Sequence, residues 1–274
     1  MQLLENLLKT LNIKTKLQIF YQEDRHTSYQ ILVPGNQVVS IWHKFRQQFA
    51  QTGYWPVILG AKDDVEWVED SIDYHAQSSA EILAEGLAID VPNWLTERNQ
   101  ADEEDQEDPS ELNQLDSRDS NIYSIKPNLK VSDALAHNYS TNIVQLLQNN
   151  SVIVQDILTD NPQAKIVIAL VPLQHNWQLP AYLKFGGWNS CPPPAEHVAL
   201  LKYWDDQYSL EMVGLIGDTI EMIVTKPPIL ITQAQILAQE QYAYCPDIID
   251  EEVDTIAEVA SMLVDAPIWS FWWD

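Results

Sequence analysis

The stretch from Tyr182 to Trp204 limits the fold of this chain most, because it sets paired glycines against a run of prolines inside 23 residues. Gly186 and Gly187 open backbone angles closed to other residues. Pro192 to Pro194 bar helix until Ala195, while favouring an extended entry and a proline near the first helical turn. The result is a fixed aromatic bend that feeds an amphipathic helix, far more constraint than an ordinary connection needs. A functional site is expected around it.

The rest of the chain divides by composition. Leu3, Leu4, Leu7, Leu8 and Leu11 form a helical stripe, Leu17 to Tyr21 and Ser28 to Val33 have strand character, and Pro34-Gly35 stops the second strand. Asn36 is the expected cap of a helix ending near Gly53. Tyr54 to Gly60 reads as a buried strand, and Asp63 to Gly86 as mostly helix with Val65, Val68 and Ile72 inward. Residues 1–97 are therefore expected to form an α/β unit. From 98 to 119 the chain turns acidic, with no apolar residue between Ala101 and Leu112, which suits a solvated linker or insertion.

Residues 120–274 are expected to form a second, α+β domain. A helix is expected over Asp133 to Asn149. Lys165 to Val171, a β-branched run between Pro162 and Pro172, is the clearest strand and suits a central position covered on both faces. Gly217-Asp218 separates two apolar runs as a hairpin turn. Thr232 is the expected cap of the helix that follows, a further helix is expected over Val253 to Leu263, and Ile268 to Asp274 ends the chain as an aromatic strand. The fold class is α+β, a mixed sheet with an antiparallel hairpin covered by helices and preceded by the smaller α/β unit.

Forty acidic against fifteen basic side chains give a formal net charge of −25. Such a field repels nucleic-acid phosphates and anionic membranes and favours cationic partners. No stretch has the roughly 20 apolar residues that cross a bilayer, and the amino-terminal segment lacks the basic and then uninterrupted apolar regions of a signal peptide. Two cysteines are too few for a disulfide framework. A cytoplasmic protein is expected.

Phosphate-loop, dinucleotide, His-Glu-x-x-His and Gly-x-Ser-x-Gly signatures are absent, and no cofactor is expected. Cys191 is the leading candidate nucleophile. It precedes a helix whose free amides would lower a thiol pKa, with His197 as base and Glu196 or Asp247 as orienting group. The alternative is that Cys191 packs as a small hydrophobe between Trp188 and the prolines. Cys191, His197 and Cys245 with Asp247 or His175 would make a zinc site, but the tight Cys-x-x-Cys half is missing, so no metal is expected.

The aromatic residues offer a binding surface instead. Alternation along the last strand puts Trp269, Phe271 and Trp273 on one face and Trp272 on the other. Trp269, Trp272 and Trp273, with Trp188, Trp204 and Asp247, are the expected lining of an acidic cleft that would hold a cationic ligand; the alternative is that the aromatic residues pack as core under the helices.

Phe185-Gly-Gly-Trp-Asn-Ser-Cys-Pro-Pro-Pro, Lys202-Tyr-Trp, Asp218-Thr-Ile-Glu, Lys226-Pro-Pro, Gln241-Tyr-Ala-Tyr-Cys-Pro-Asp247 and Trp269-Ser-Phe-Trp-Trp-Asp274 occur in that order. Together they resemble a bacterial family known as a domain of unknown function, DUF4253. Thr52 to Gly60 resembles the upstream half of its longer members, whereas the acidic segment around Asp102 lies outside the pattern. The resemblance implies a fold and domain limits, and no activity, cofactor or catalytic residue. The expected function is a binding or interaction module, in one form an inhibitor or immunity-type partner of a basic protein. The alternatives are an enzyme using Cys191 and His197, and a structural scaffold.

Overall fold

The computed structural model describes residues 1–23, 26–105, 143–249 and 253–274. In chain order its elements are α1 (Gln2–Thr10), β1 (Gln18–Glu23), β2 (His26–Pro34), α2 (Val38–Arg46), α3 (Phe49–Thr52), β3 (Tyr54–Gly60), α4 (Lys62–Tyr74), α5 (Ser79–Ala88) and α6 (Val91–Asp105). After the acidic region come α7 (Ile143–Asn150), α8 (Val152–Asp160), β4 (Lys165–Pro172), α9 (Leu179–Leu183), α10 (Pro194–Tyr208), β5 (Leu210–Ile216), β6 (Thr219–Val224), α11 (Ile231–Tyr244), α12 (Ile256–Leu263) and β7 (Ile268–Trp272). The fold is α+β, an open mixed sheet with helices.

The β-branched run of β4 lets every residue from Ile166 to Val171 be buried, and this strand takes the third place in a seven-stranded sheet ordered β1-β2-β4-β3-β5-β6-β7. It pairs antiparallel with β2 on one side and β3 on the other. Strands from both sides of the acidic region thus share one sheet. The hairpin expected at Gly217-Asp218 is present, with β5 and β6 antiparallel and β7 beside β6. Among the described residues only β3 and β5 run parallel, and their ladder is reduced to one registered pair, Ile58 opposite Gly214.

Glu221 and Trp269 point to opposite faces, since Glu221 registers with Ser270 while Trp269 registers with Met222. On the Glu221 face lies α8, with Ile153 filling the space over Gly214; on the other, α10 and α11 bring Trp204 and Tyr244 against Phe271. Neighbouring helices extend both layers: α7 packs on α2 and α8, and α5 on α10.

Several local expectations differ from the structure. A 3-10 turn at Gly35–Gln37 precedes α2, so Asn36 does not cap it; the Asn36 amide instead donates to Pro162 O at 2.8 Å. The N-cap of α11 is Leu230, which leaves Thr232 inside the first turn. The last helix begins at Ile256 because the Thr255 hydroxyl accepts the Glu258 amide. Helix α6 continues into the acidic stretch as far as Asp105, where Glu and Ala are good helix formers. Of the stretch expected to be a helix from Asp133, only residues from Ile143 onward are described, and the remainder of the acidic region lies outside the described residues. Among the described residues no helix is long and apolar enough to cross a membrane.

Candidate functional site

Gly186 and Gly187 both have positive φ, +110° and +89°. A Cβ on Gly186 would stand 2.1 Å from Pro192 O and 2.6 Å from His197 Nε2, so the bend closes onto the start of α10 only without a side chain there. The Gly187 amide donates to Pro192 O at 3.0 Å, and the Cys191 amide to Trp188 O at 2.8 Å. The amino-terminal half holds the bend from outside. His75 Nε2 lies 3.1 Å from Gly186 O, and the buried Lys184 ammonium pairs with Glu23 at 3.1 Å while donating to His75 O. Burial raises the Glu23 pKa, but bonds from the Ser79 side chain and amide, Tyr21 and Lys184 outweigh it and lower the carboxyl to about 2.

Inside the bend, Cys191 Sγ lies 3.4 Å from His197 Nε2, and His197 Nδ1 lies 2.6 Å from the Tyr244 hydroxyl. The nucleophile and base expected from sequence therefore meet, but the orienting group is Tyr244, contributed by α11. Neither Glu196 nor Asp247 takes that role. His197 is sealed by Phe185, Tyr244 and Trp273, with ring centroids 5.2 to 5.4 Å away. Burial pushes the imidazole down to about 3 and the Cys191 thiol well up. Both shifts favour the neutral thiol and neutral imidazole, the opposite of what a thiolate nucleophile requires. Cys245 points elsewhere, donating to Trp272 O at 3.0 Å, and among the described residues no group of three His, Cys, Asp or Glu side chains could hold a metal ion.

The opening lies next to this cluster. A cleft of about 640 Å³ sits where the carboxyl-terminal ends of β3 and β5 leave their single-pair seam. That volume is within the range of ligand sites, which favour such discontinuities in a sheet. Val152, Ile153, Asp156 and Ile157 of α8 form one wall; Asp64 and Trp67 of α4, with Trp188 and Asn189 of the bend, form another. Gly217, Asp218 and Thr219 of the hairpin turn and Trp273 and Asp274 of the tail complete it. Its lining has four aspartates, three tryptophans and no Lys, Arg or His. Among the described residues none of these aspartates is in an ion pair, because the basic partners found go to Glu211, Glu66, Glu23 and Asp206. Burial raises the Asp64 pKa, partly offset by the bond from the Ala61 amide.

The α8 wall is tethered by Glu221, which is fully buried on β6 and accepts the Val152 amide at 2.8 Å and the Ser151 hydroxyl. Burial raises this carboxyl to about 7, against the lowering effect of the Ser151, Val152 and Ile153 bonds.

Of the residues expected in the cleft, Trp188 and Trp273 line it. Trp204 and Trp269 do not: both are buried, and Trp204 donates to Glu240 at 2.9 Å. Asp247 stands beside the cleft rather than in it, joining the tail to the bend through the Asp274 amide and Ser190. Trp272 is on the outer face as its alternation requires, 39% exposed. The sequence reading missed Asp64, Trp67, Asp156 and Asp218. The signal for Trp67 was present, since placing Val65, Val68 and Ile72 inward turns Trp67 outward, where it is 66% exposed.

Residues 167–274 match the family described as a domain of unknown function (DUF4253), a span that contains the bend, α10, the β5–β6 hairpin and the tryptophan tail. No curated protein and no solved structure matches the chain.

Proposed function

We propose that this protein is a binding module whose acidic, tryptophan-lined cleft receives a cationic group of a basic protein partner. The carrying observation is the lining itself: four aspartates without a basic side chain, beside indole surface. Carboxylates grouped over the apolar floor of Ile153, Ile166 and Trp273 concentrate negative potential, because low-dielectric walls focus field lines. An inhibitor or immunity-type role against a cationic protein is one form of this reading. The reading places the encounter in the cytoplasm, in keeping with two cysteines that are both free thiols.

Titration with an oligolysine peptide at low salt tests it. Binding should weaken as salt rises, and the double substitution Asp156→Asn, Asp218→Asn at exposed cleft positions should weaken it further than the same change at two aspartates remote from the cleft. Equal losses from both pairs would reduce the attraction to net charge and refute the site.

The 3.4 Å approach of Cys191 to His197 favours a thiol enzyme as second reading. It ranks below the first because the pair is buried in its neutral form.

A further inference from the structure

Helix α4 carries a second unusual feature, continuous with the cleft. Its inward residues Val65, Val68 and Ile72 are buried, so positions spaced four, three and four apart on the far side form one solvent ridge: Asp63, Trp67, Asp70 and Tyr74. Trp67 is 66% exposed and Tyr74 81%, two large aromatic side chains interleaved with carboxylates. Among the described residues the ring contact of Tyr74 is with its neighbour His75, edge to face at 5.4 Å, and both aromatic side chains are left largely to solvent. Trp67 also lines the cleft, so the ridge begins where the cleft ends.

We propose that the cleft and the α4 ridge form one docking track for an extended, arginine-bearing segment of the basic partner, with one guanidinium held at the cleft mouth against Trp67. This rests on the cation-binding reading above and adds to it the chemistry of the occupant. Charge complementarity selects a basic segment: Lys62 is the only basic residue of α4, and it is engaged with Glu66 at 3.3 Å. The indole selects arginine over lysine, since a planar guanidinium stacks on an aromatic face while its edge donates in pairs to a carboxylate, and a compact ammonium does neither as well. The spacing sets the pattern. Trp67 and Tyr74 stand seven residues apart on a helix, about 10 Å, which an extended chain covers in about three residues. A second arginine three positions along would therefore meet Tyr74 and Asp70.

The test uses the full chain and three peptides in a glycine background: two arginines three positions apart, two lysines at the same positions, and one arginine alone. The two-arginine peptide should bind about fivefold or more tightly than the two-lysine peptide, the difference one stacked cation makes. Trp67→Ala should reduce that preference to the share contributed at Tyr74. Tyr74→Ala should weaken the two-arginine peptide and leave the single-arginine peptide unchanged. Both side chains are exposed, and an unaltered melting temperature confirms that the variants fold. Equal affinity for arginine and lysine peptides, unmoved by Trp67→Ala, overturns the track; if Asp156→Asn, Asp218→Asn still weakens both peptides, the cation-binding cleft itself stands. Absence of binding by every peptide at low salt overturns both.

Discussion

Replacing Glu221 by Gln should make the protein more stable as pH rises, and the structure gives the size of the effect. Protonated Glu221 and Gln have nearly the same shape, and either can accept the Val152 amide, so the two proteins should be close in stability at pH 4.5 and below. Above that pH they diverge. The folded-state pKa of about 7 exceeds the ordinary 4.5, so the unfolded chain releases its proton first and the native state is penalised for holding one. Each pH unit costs about 1.4 kcal/mol until the folded pKa is passed. Glu221→Gln should therefore gain about 3 kcal/mol on the wild type between pH 4.5 and pH 7 and stay level above it.

The wild type alone would hide this. His197 has the opposite sign: its folded pKa of about 3 lies below the ordinary 6.5, so its contribution is complete above pH 6.5 and is lost as pH falls toward 3. Between pH 4.5 and 6.5 the two slopes cancel, which is why the difference between variant and wild type, and not either curve alone, is the measurement. Urea unfolding at half-unit intervals from pH 4.5 to 8 supplies it. The charge facing Glu221 from α8 is Asp156, which raises the same pKa and is common to both proteins. Parallel curves would refute the reasoning. A variant less stable at pH 8 would show that the bonds from Ser151 and Val152 to the carboxylate outweigh its burial.

Two other predictions concern the bend. Gly186→Ala should abolish cooperative folding or lower the melting temperature severely, while Gly53→Ala, at φ +70° with nothing within 4 Å of its Cβ, should cost only about 1 kcal/mol; similar losses at both would mean that the closeness of Pro192 O is immaterial. Cys191 should react with iodoacetamide at pH 8 far more slowly than a free thiol and reach the free rate only in denaturant, because burial holds it protonated; fast native labelling would restore the enzyme reading.

The parts of the fold legible in the sequence are those governed by short-range patterning. The apolar run of β4, the Gly217-Asp218 turn and the alternation of Trp269, Phe271 and Trp273 each depend on neighbours within a few residues, and each is present in the structure. Strand order is a different kind of quantity. Nothing local says that β4 inserts between β2 and β3, or that β3 meets β5 in parallel, because those pairings are chosen by the burial of whole faces. The contact of Cys191 with His197 was legible for the same short-range reason, six residues across a proline brake. Tyr244 was not, lying 47 positions from His197 and brought there by the packing of α11 on α10. Asp64 and Asp156 come from helices on opposite faces of the sheet, so the cleft exists only once the sheet order is known.

The buried groups and the cleft are linked by their charge states. His197, Cys191 and Tyr244 are all shifted toward their neutral forms by burial, and Glu221 is raised as well, so the interior beside the cleft contributes little fixed charge of its own. The potential in the opening is then set by Asp64, Asp156, Asp218 and Asp274, acting over a floor that screens them poorly. With no basic side chain in the lining and the buried Lys184 ammonium at the bend paired with Glu23, a cation entering the cleft meets attraction, and its arrival should lower the raised pKa of Asp64, since an opposite charge nearby favours the ionised carboxyl. Ligand binding to the cleft should accordingly release a proton from Asp64 wherever that carboxyl is partly protonated, and the release should fade as the pH is raised. Calorimetric titration with the two-arginine peptide in buffers of different ionisation enthalpy reads that proton directly. Proton release that persists in an Asp64→Asn variant would assign it to another group and remove Asp64 from the binding surface.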